Sequence, residues 1–309
     1  MKSKFLMTAA AFSLSAFGAQ AADLAVKARP VPAPAVVGWA GFYVGGVVGY
    51  EDNRNGARET DFDFGYYDPS SGDRFSCITN GCFGSNAARL ADLIPTHQAF
   101  NSHGLGIGVT AGYNFMVSPT ILLGIESDLS WWGLKGKASA SGSSSDPSCD
   151  LEGFGCHFTQ ATTAVSSGID WFGTVRGRLG FLATPSTLLF ATGGLAYGDV
   201  NAGLNVNGSV TWHYATVCCG FALNTQVPFS SNASTNTIKA GWTVGAGLEQ
   251  KLDAHWSVKA EYLYYDLGSV SVTNFFTVPN WLDTVGYVTK TDSFKFNGNI
   301  VRVGVNYTF

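Results

Sequence analysis

Charge is what this chain has least of. Asp, Glu, Lys and Arg make up 13% of its 309 residues, about half the roughly 25% of an ordinary soluble domain. The little charge present leans acidic, 18 basic residues against 22 acidic, which argues against nucleic acid as a partner. Beyond residue 21 no apolar run is long enough for a transmembrane helix, which excludes a helical membrane protein. No G-x-S-x-G elbow, H-E-x-x-H pair or P-loop occurs, so the common hydrolase, metalloprotease and nucleotide-binding chemistries lack their residues. No enzyme activity and no cofactor are expected.

Glycine and aromatic residues are abundant instead, with 38 glycines and 14% aromatics. Spread over alternating segments in a chain this poor in charge, they match the needs of a transmembrane β-barrel. The last ten residues, 300–309, carry the clearest pattern. Val301, Val303, Val305, Tyr307 and Phe309 are apolar at every second position, and Arg302, Gly304, Asn306 and Thr308 between them are polar or tiny. That is a strand with one oily and one wet face. Ending a soluble protein on such a strand would leave a sticky edge, whereas in a closed barrel it pairs with the first strand. Tyr307 and Phe309 are therefore expected to close and assemble the barrel.

The same parity places seven further strands, at 39–50, 103–115, 121–135, 170–182, 188–198, 238–252 and 256–268. Phe190 falls on the polar side of its strand. The run 60–66, TDFDFGY, alternates as well and reads as a strand extension above the membrane. Links between the eight strands alternate long and short. The expected architecture is an all-β, eight-stranded antiparallel up-and-down transmembrane barrel with short periplasmic turns and long surface loops. Segments 136–167 and 199–237 are expected to be such loops. On 170–182 the outward Trp171 and Phe181 stand ten residues apart, which at ~3.3 Å per residue and ~40° tilt spans roughly 25 Å, the height of the apolar band. Tyr113, Phe115, Trp256, Tyr307 and Phe309 should mark the periplasmic rim, and Trp131, Tyr197, Trp242 and Tyr264 the outer one.

The N-terminus gives the address. Lys2 and Lys4 precede an apolar run over 5–17 and an Ala-Gln-Ala cleavage signal at 19–21, which reads as a secretory signal peptide. Removing 1–21 takes two bases away and leaves 16 basic against 22 acidic residues. The Pro/Ala-rich stretch 22–37 is expected to be an extended periplasmic tail, and 38–309 the barrel. Six cysteines remain, Cys77, Cys82, Cys149, Cys156, Cys218 and Cys219, all outside the expected strands. In an oxidising compartment an even count favours loop-pinning disulfides, of which the pairs 77/82 and 149/156 are closest in sequence, although 15 connectivities are open.

Tail and strands together, WAGFYVGGVVGY, TVRGRLGF, LLFATGGLAYG, GWTVGAGLEQKL, WSVKAEYLYYDLG and VRVGVNYTF, resemble the RopB-type family of alphaproteobacterial porin-like outer-membrane proteins. The resemblance covers about half of the mature chain. It implies an OmpA-like eight-stranded barrel of the cell outer membrane that supports envelope integrity and surface interactions; some relatives bind hemin or are described as porins.

Function is then sought in the lumen and at the surface. Glu126, Asp128, Arg176, Arg178, Glu249, Lys259, Glu261 and Arg302 all have inward parity. Counting from the turns pairs Glu126 with Arg178, Asp128 with Arg176, Glu249 with Lys259, and Glu261 with Arg302. An eight-stranded interior is just wide enough for side chains to fill, and an isolated ion there is costly, so the expected network plugs the barrel. A narrow diffusion porin is the alternative. Hemin ligation by His97, His157 or His213 and a lipid-modifying site at His103 are weaker readings, since Ser102 beside His103 points to the opposite face. Expected partners are outer-membrane lipid and lipopolysaccharide, the barrel assembly machinery, and an unknown surface ligand for the loops.

Overall fold

The computed structural model describes residues 38–67, 74–76, 93–145, 156–215, 222–279 and 285–309. The expected signal peptide and tail lie outside them. Its strands are β1 (Gly41–Tyr67), β2 (Arg74–Ser76), β3 (His97–Met116), β4 (Ile121–Ser145), β5 (Cys156–Thr184), β6 (Thr187–Ala215), β7 (Ala222–Lys251), β8 (Trp256–Pro279) and β9 (Val285–Thr308). Each long strand runs antiparallel to its neighbour in chain order, and β9 returns to pair with β1 from Tyr43↔Thr308 to Tyr67↔Val285. The eight long strands therefore close into a ring, which leaves no open edge among them. The three-residue β2 adds a patch of pairing at the far end of β1.

Within the lower half of the ring the expected parity holds. Leu105, Ile107, Val109, Leu123, Ile125, Leu179, Leu195 and Val303 are exposed on the outer face, and lipid is the solvent that suits such a wall. Aromatic girdles bound the wall. At the short-turn end Phe42 stacks on Phe309 with centroids 5.6 Å apart, and Tyr307 meets Trp256 edge-on at 5.1 Å. At the other end Trp171 lies 6.0 Å from Tyr197, and Trp242 lies 5.4 Å from Tyr264. The turns at 117–120, 185–186 and 252–255 are short. In the last of these Asp253 Oδ1 accepts the amides of His255 and Trp256, both at 2.7 Å.

The strands are much longer than alternating segments of 10–15 residues suggest. β5 and β6 have 29 residues each and β7 has 30. Segments 136–167 and 199–237, expected as loops, are largely paired strand, with Gly136↔Ser167 to Ser145↔Phe158 and Asp199↔Ile238 to Ala215↔Ala222. The physical reason is an inversion of polarity along a continuous strand. On β6 the outward residues pass from Leu189, Leu195 and Tyr197 to Asn201, Asn205 and Asn207, while the inward ones pass from Thr192 to Val200, Leu204 and Val206. Above the membrane band the barrel is built like a soluble one, with an apolar interior of Leu134, Val165, Ile169, Phe229, Val272, Phe294 and Phe296. The shift from Asp266 to Ser269 on β8 is a bulge whose Gly268 sits at φ +79°, a conformation other residues avoid; its amide donates to Asp266 Oδ1 at 2.7 Å.

Candidate functional site in the barrel lumen

Three layers fill the lumen from the short-turn end upward. Trp39, just before β1, lies against Leu122 and Leu188, all three buried. Its indole Nε1 donates to the Pro185 carbonyl at 3.0 Å, and Lys251 Nζ lies 5.4 Å from its ring while donating to the Gly38 carbonyl at 2.5 Å. Trp39 is thereby tied to two different turns.

Above it lie the eight inward ions, none more than 4% exposed. Arg176 is the hub. Its Nη2 donates to Glu126 Oε1 at 2.5 Å and Asp128 Oδ2 at 3.0 Å, and its Nη1 donates to Glu261 Oε1 and to Thr192 Oγ1. Arg302 spans Glu261 Oε2 at 2.7 Å and Asp128 Oδ2 at 2.9 Å. Lys259 Nζ donates to Glu126 Oε2 at 2.6 Å. Closer to the turns Arg178 donates to Glu249, stacks over Phe190 at 4.1 Å and lies against Tyr43. Four acids meet four bases, so the network is neutral, as burial in a low-dielectric interior demands.

The pairing differs in part from the one obtained by counting. Glu261 and Arg302 are register partners and are bonded. Glu249 and Lys259 are register partners too, but their side chains go to Arg178 and Glu126 respectively. Glu126 stands opposite Arg176, whereas Arg178 stands opposite Gly124. The count is displaced because Ile121 pairs with Phe181, not with Leu182. Long guanidinium arms then reach across the lumen, so that Arg176 serves three carboxylates.

Neutral side chains complete the shell around the ions. Tyr43 donates to Glu126 Oε2 at 2.6 Å, Thr174 to Asp128 Oδ2 at 2.6 Å, and Ser257 and Asn306 to Glu249 Oε1 at 2.5 and 2.8 Å. All four alternate with lipid-facing neighbours, and that inward parity was the available signal. Phe190 also belongs inside, as the platform for Arg178. The third layer is formed by Phe172 against Tyr265 at 4.9 Å, with Tyr265 donating to the buried Glu51, and it continues into the apolar interior above. A second buried ion group, Lys290 with Glu59 at 2.7 Å and Asp292 at 2.8 Å, sits in that upper barrel.

The other candidates separate. His103 is on the outer face and Ser102 is buried on the inner one. His97 pairs with Arg58 on β1, while His157 and His213 lie at adjacent register positions on β5 and β6. Cys77, Cys82, Cys149, Cys218 and Cys219 lie outside the described residues. Cys156 opens β5 opposite His213 in register, and the expected disulfides rest on cysteine side chains outside those described. Tyr307 and Phe309 are at the seam: the Phe309 amide donates to the Phe42 carbonyl at 3.0 Å.

A family model described as "Outer membrane protein beta-barrel domain" matches residues 9–309. The 31 kDa outer-membrane immunogenic protein of Brucella melitensis is 33% identical over 315 residues, covering all of both chains. The 22 kDa outer membrane protein of Rhizobium leguminosarum is 29% identical over 169 residues, 55% of this chain and 56% of that one. Among solved structures, OprG of Pseudomonas aeruginosa aligns at TM-score 0.32 and 11% identity, covering 87% and 96% of the two chains. An oily outer wall, two aromatic girdles, a seam closed by the C-terminal strand, the family match and a relative matched end to end all agree: this chain belongs to the outer membrane protein β-barrel family and resides in the outer membrane.

Proposed function

We propose that this protein is a plugged, non-conducting barrel that contributes to envelope integrity and presents its upper barrel and loops as an interaction surface. The observation that carries the reading is the continuity of the filling. Trp39 covers the short-turn mouth, eight mutually neutralised ions occupy the band behind it, and apolar side chains fill the barrel above. An ion crossing this column would have to break salt bridges and then enter an apolar core, both unfavourable steps. A relative named for being an outer-membrane immunogenic protein is compatible with a display role.

A narrow diffusion pore is the second reading, and one feature favours it. Asp128 Oδ1, Asn114 Oδ1, Asn306 Oδ1, Arg176 Nε and Arg178 Nε are buried and have no protein partner among the described residues, and such atoms are where internal water binds. Planar-bilayer recording separates the two. The plugged reading expects at most rare, brief openings in wild type. Steady porin-sized conductance sinks it, as does R176A/R178A protein with unchanged stability and conductance.

A further inference from the structure

The outer wall is not uniformly convex. Outward positions on β1 alternate Val44, Gly46, Val48 and Tyr50, and Gly46 stands between Val109 on β3 and Val305 on β9. A side chain added at Gly46 would meet only the Gly108 carbonyl, at 4.0 Å. The missing side chain leaves an apolar groove of about 590 Å³, floored by Gly46 and walled by Val48, Ile107, Trp131, Val258 and Val303.

On β3 the groove is lined by Val109 and Ile107, and the outward residues that follow them up the strand are Leu105 and His103. His103 is the register partner of Lys135 on β4, and Lys137 follows on the same face. From Gly46's partner Val109 to His103 is six residues, roughly 15 Å along the membrane normal at ordinary strand rise and tilt. Three exposed bases thus stand above one end of an apolar groove. Two acids face them: Asp52, the partner of His103 on β1, and Asp170, at the β5 bulge next to Lys135. Around the rest of the described rim the outward charges are Asp199 on β6 and Asp266 on β8, the latter paired with Lys295 of β9. Among the described residues, the bases of β3 and β4 thus lie above a groove formed by β1, β3, β4, β8 and β9.

We propose that this wall is a lipid site for one occupant, a phosphorylated glycolipid of the outer leaflet, lipid A. One acyl chain lies in the Gly46 groove against Ile107 and Trp131, and a glucosamine phosphate meets His103, Lys135 and Lys137. The two ends reinforce each other: the groove selects a chain at one depth, and the bases select an anionic headgroup directly above it. A phosphorylated lipid held there would fix the barrel's rotation and depth in the leaflet.

The test is native mass spectrometry of the folded protein in mild detergent, with bis-phosphorylated lipid A, dephosphorylated lipid A or phosphatidylglycerol as the added lipid. G46L fills the groove without touching the lumen, and H103A/K135A removes two of the bases. G193L is the control, because Gly193 is another exposed lipid-face glycine with room for a side chain, on the strand that carries Asp199. Folding of each is checked by heat-modifiable migration. We expect bis-phosphorylated lipid A to be retained over both other lipids. H103A/K135A should lower its retention by at least about fivefold, the effect of losing one lysine at an anionic lipid surface; G46L should lower it several-fold by filling the groove, and G193L should leave it unchanged. Equal retention of the three lipids by wild type overturns the site, and so does a folded G46L that binds like wild type. Equal losses in G46L and G193L would reveal a general lipid annulus, which overturns it as well.

Discussion

Phe42 and Phe309 hold the two ends of the barrel together. Their rings stack at 5.6 Å and 28°, and the Phe309 amide donates to the Phe42 carbonyl at 3.0 Å, one step beyond the last register pair Tyr43↔Thr308. The seam between first and last strands is formed late in chain order and has no covalent turn to set its register. An aromatic lock at its short-turn margin supplies that register, worth ~0.5–1.5 kcal/mol beyond simple burial for a stacked pair.

Deleting Phe309 should therefore impair closure without touching any lumen residue. The expected outcome is unfolded protein accumulating in the periplasm, seen as loss of heat-modifiable migration. F42A should show a weaker form of the same defect. Normal migration of the deletion variant would remove Phe309 from assembly.

Gly112 and Gly46 make a second contrast. A Cβ at Gly112 would run into the Tyr43 ring and hydroxyl and lie 2.7 Å from the Ile125 carbonyl. Tyr43 cannot yield without releasing Glu126. G112A is expected to cost about 1–3 kcal/mol, the usual range for overpacking, whereas G46A should stay within about 0.5 kcal/mol of wild type. Urea unfolding of the refolded protein, read by gel shift, measures both.

The 252–255 turn predicts a pH dependence. Asp253 is fully exposed, yet the Trp256 and His255 amides hold its carboxyl below the ordinary carboxylate pKa. A depressed pKa in the folded state means the stabilisation is present at neutral pH, above the unfolded value of about 4, and is lost as pH falls through the folded value. The stability difference between wild type and D253A should be constant from neutral pH down to about 5 and shrink below about 4. A difference that grows on acidification would mean the cap does not act through its charge.

Much of this fold could be read from residues, and the part that could not has a single cause. The parity rule took apolar as outward, because lipid is the solvent over 105–115 and 171–181. Above the outer girdle the solvent becomes water and the same strand reverses its meaning, so Val200, Leu204 and Val206 turn inward beside outward Asn201, Asn205 and Asn207. Read with a membrane key, those segments look like loops. The lumen ions were legible from parity alone, because a charge on a lipid-facing position would be expelled. Their partners were not, because a one-residue difference at the Ile121↔Phe181 pair changes which residues stand opposite, and long side chains reach past those neighbours. Tyr43 was missed since its ring resembles its apolar neighbours Phe42 and Val44; only its position between them shows that its hydroxyl must point inward.

The last prediction concerns how the lumen ions share their burden. Glu126 accepts from Arg176 at 2.5 Å, Lys259 at 2.6 Å and Tyr43 at 2.6 Å, so removing its carboxylate leaves two buried cations short of a partner. E126A is expected to lose about 3–5 kcal/mol, the cost of stranding one side of a buried pair. K259A strands Glu126 less, because Arg176 remains bonded to it, and should lose less than E126A. Combining the two restores neutrality. The double variant should therefore be more stable than the sum of the single losses allows, with a coupling of about 0.5–3 kcal/mol. Urea unfolding of all four proteins in the same micelles measures the cycle. Strict additivity would mean that Glu126 and Lys259 are solvated separately, and it would count for a water-filled lumen over a plugged one. A coupling in the expected range that vanishes when Arg176 is replaced by Ala would instead locate the cooperation in the hub, since Arg176 is the cation that ties Glu126 to Asp128 and Glu261 at once.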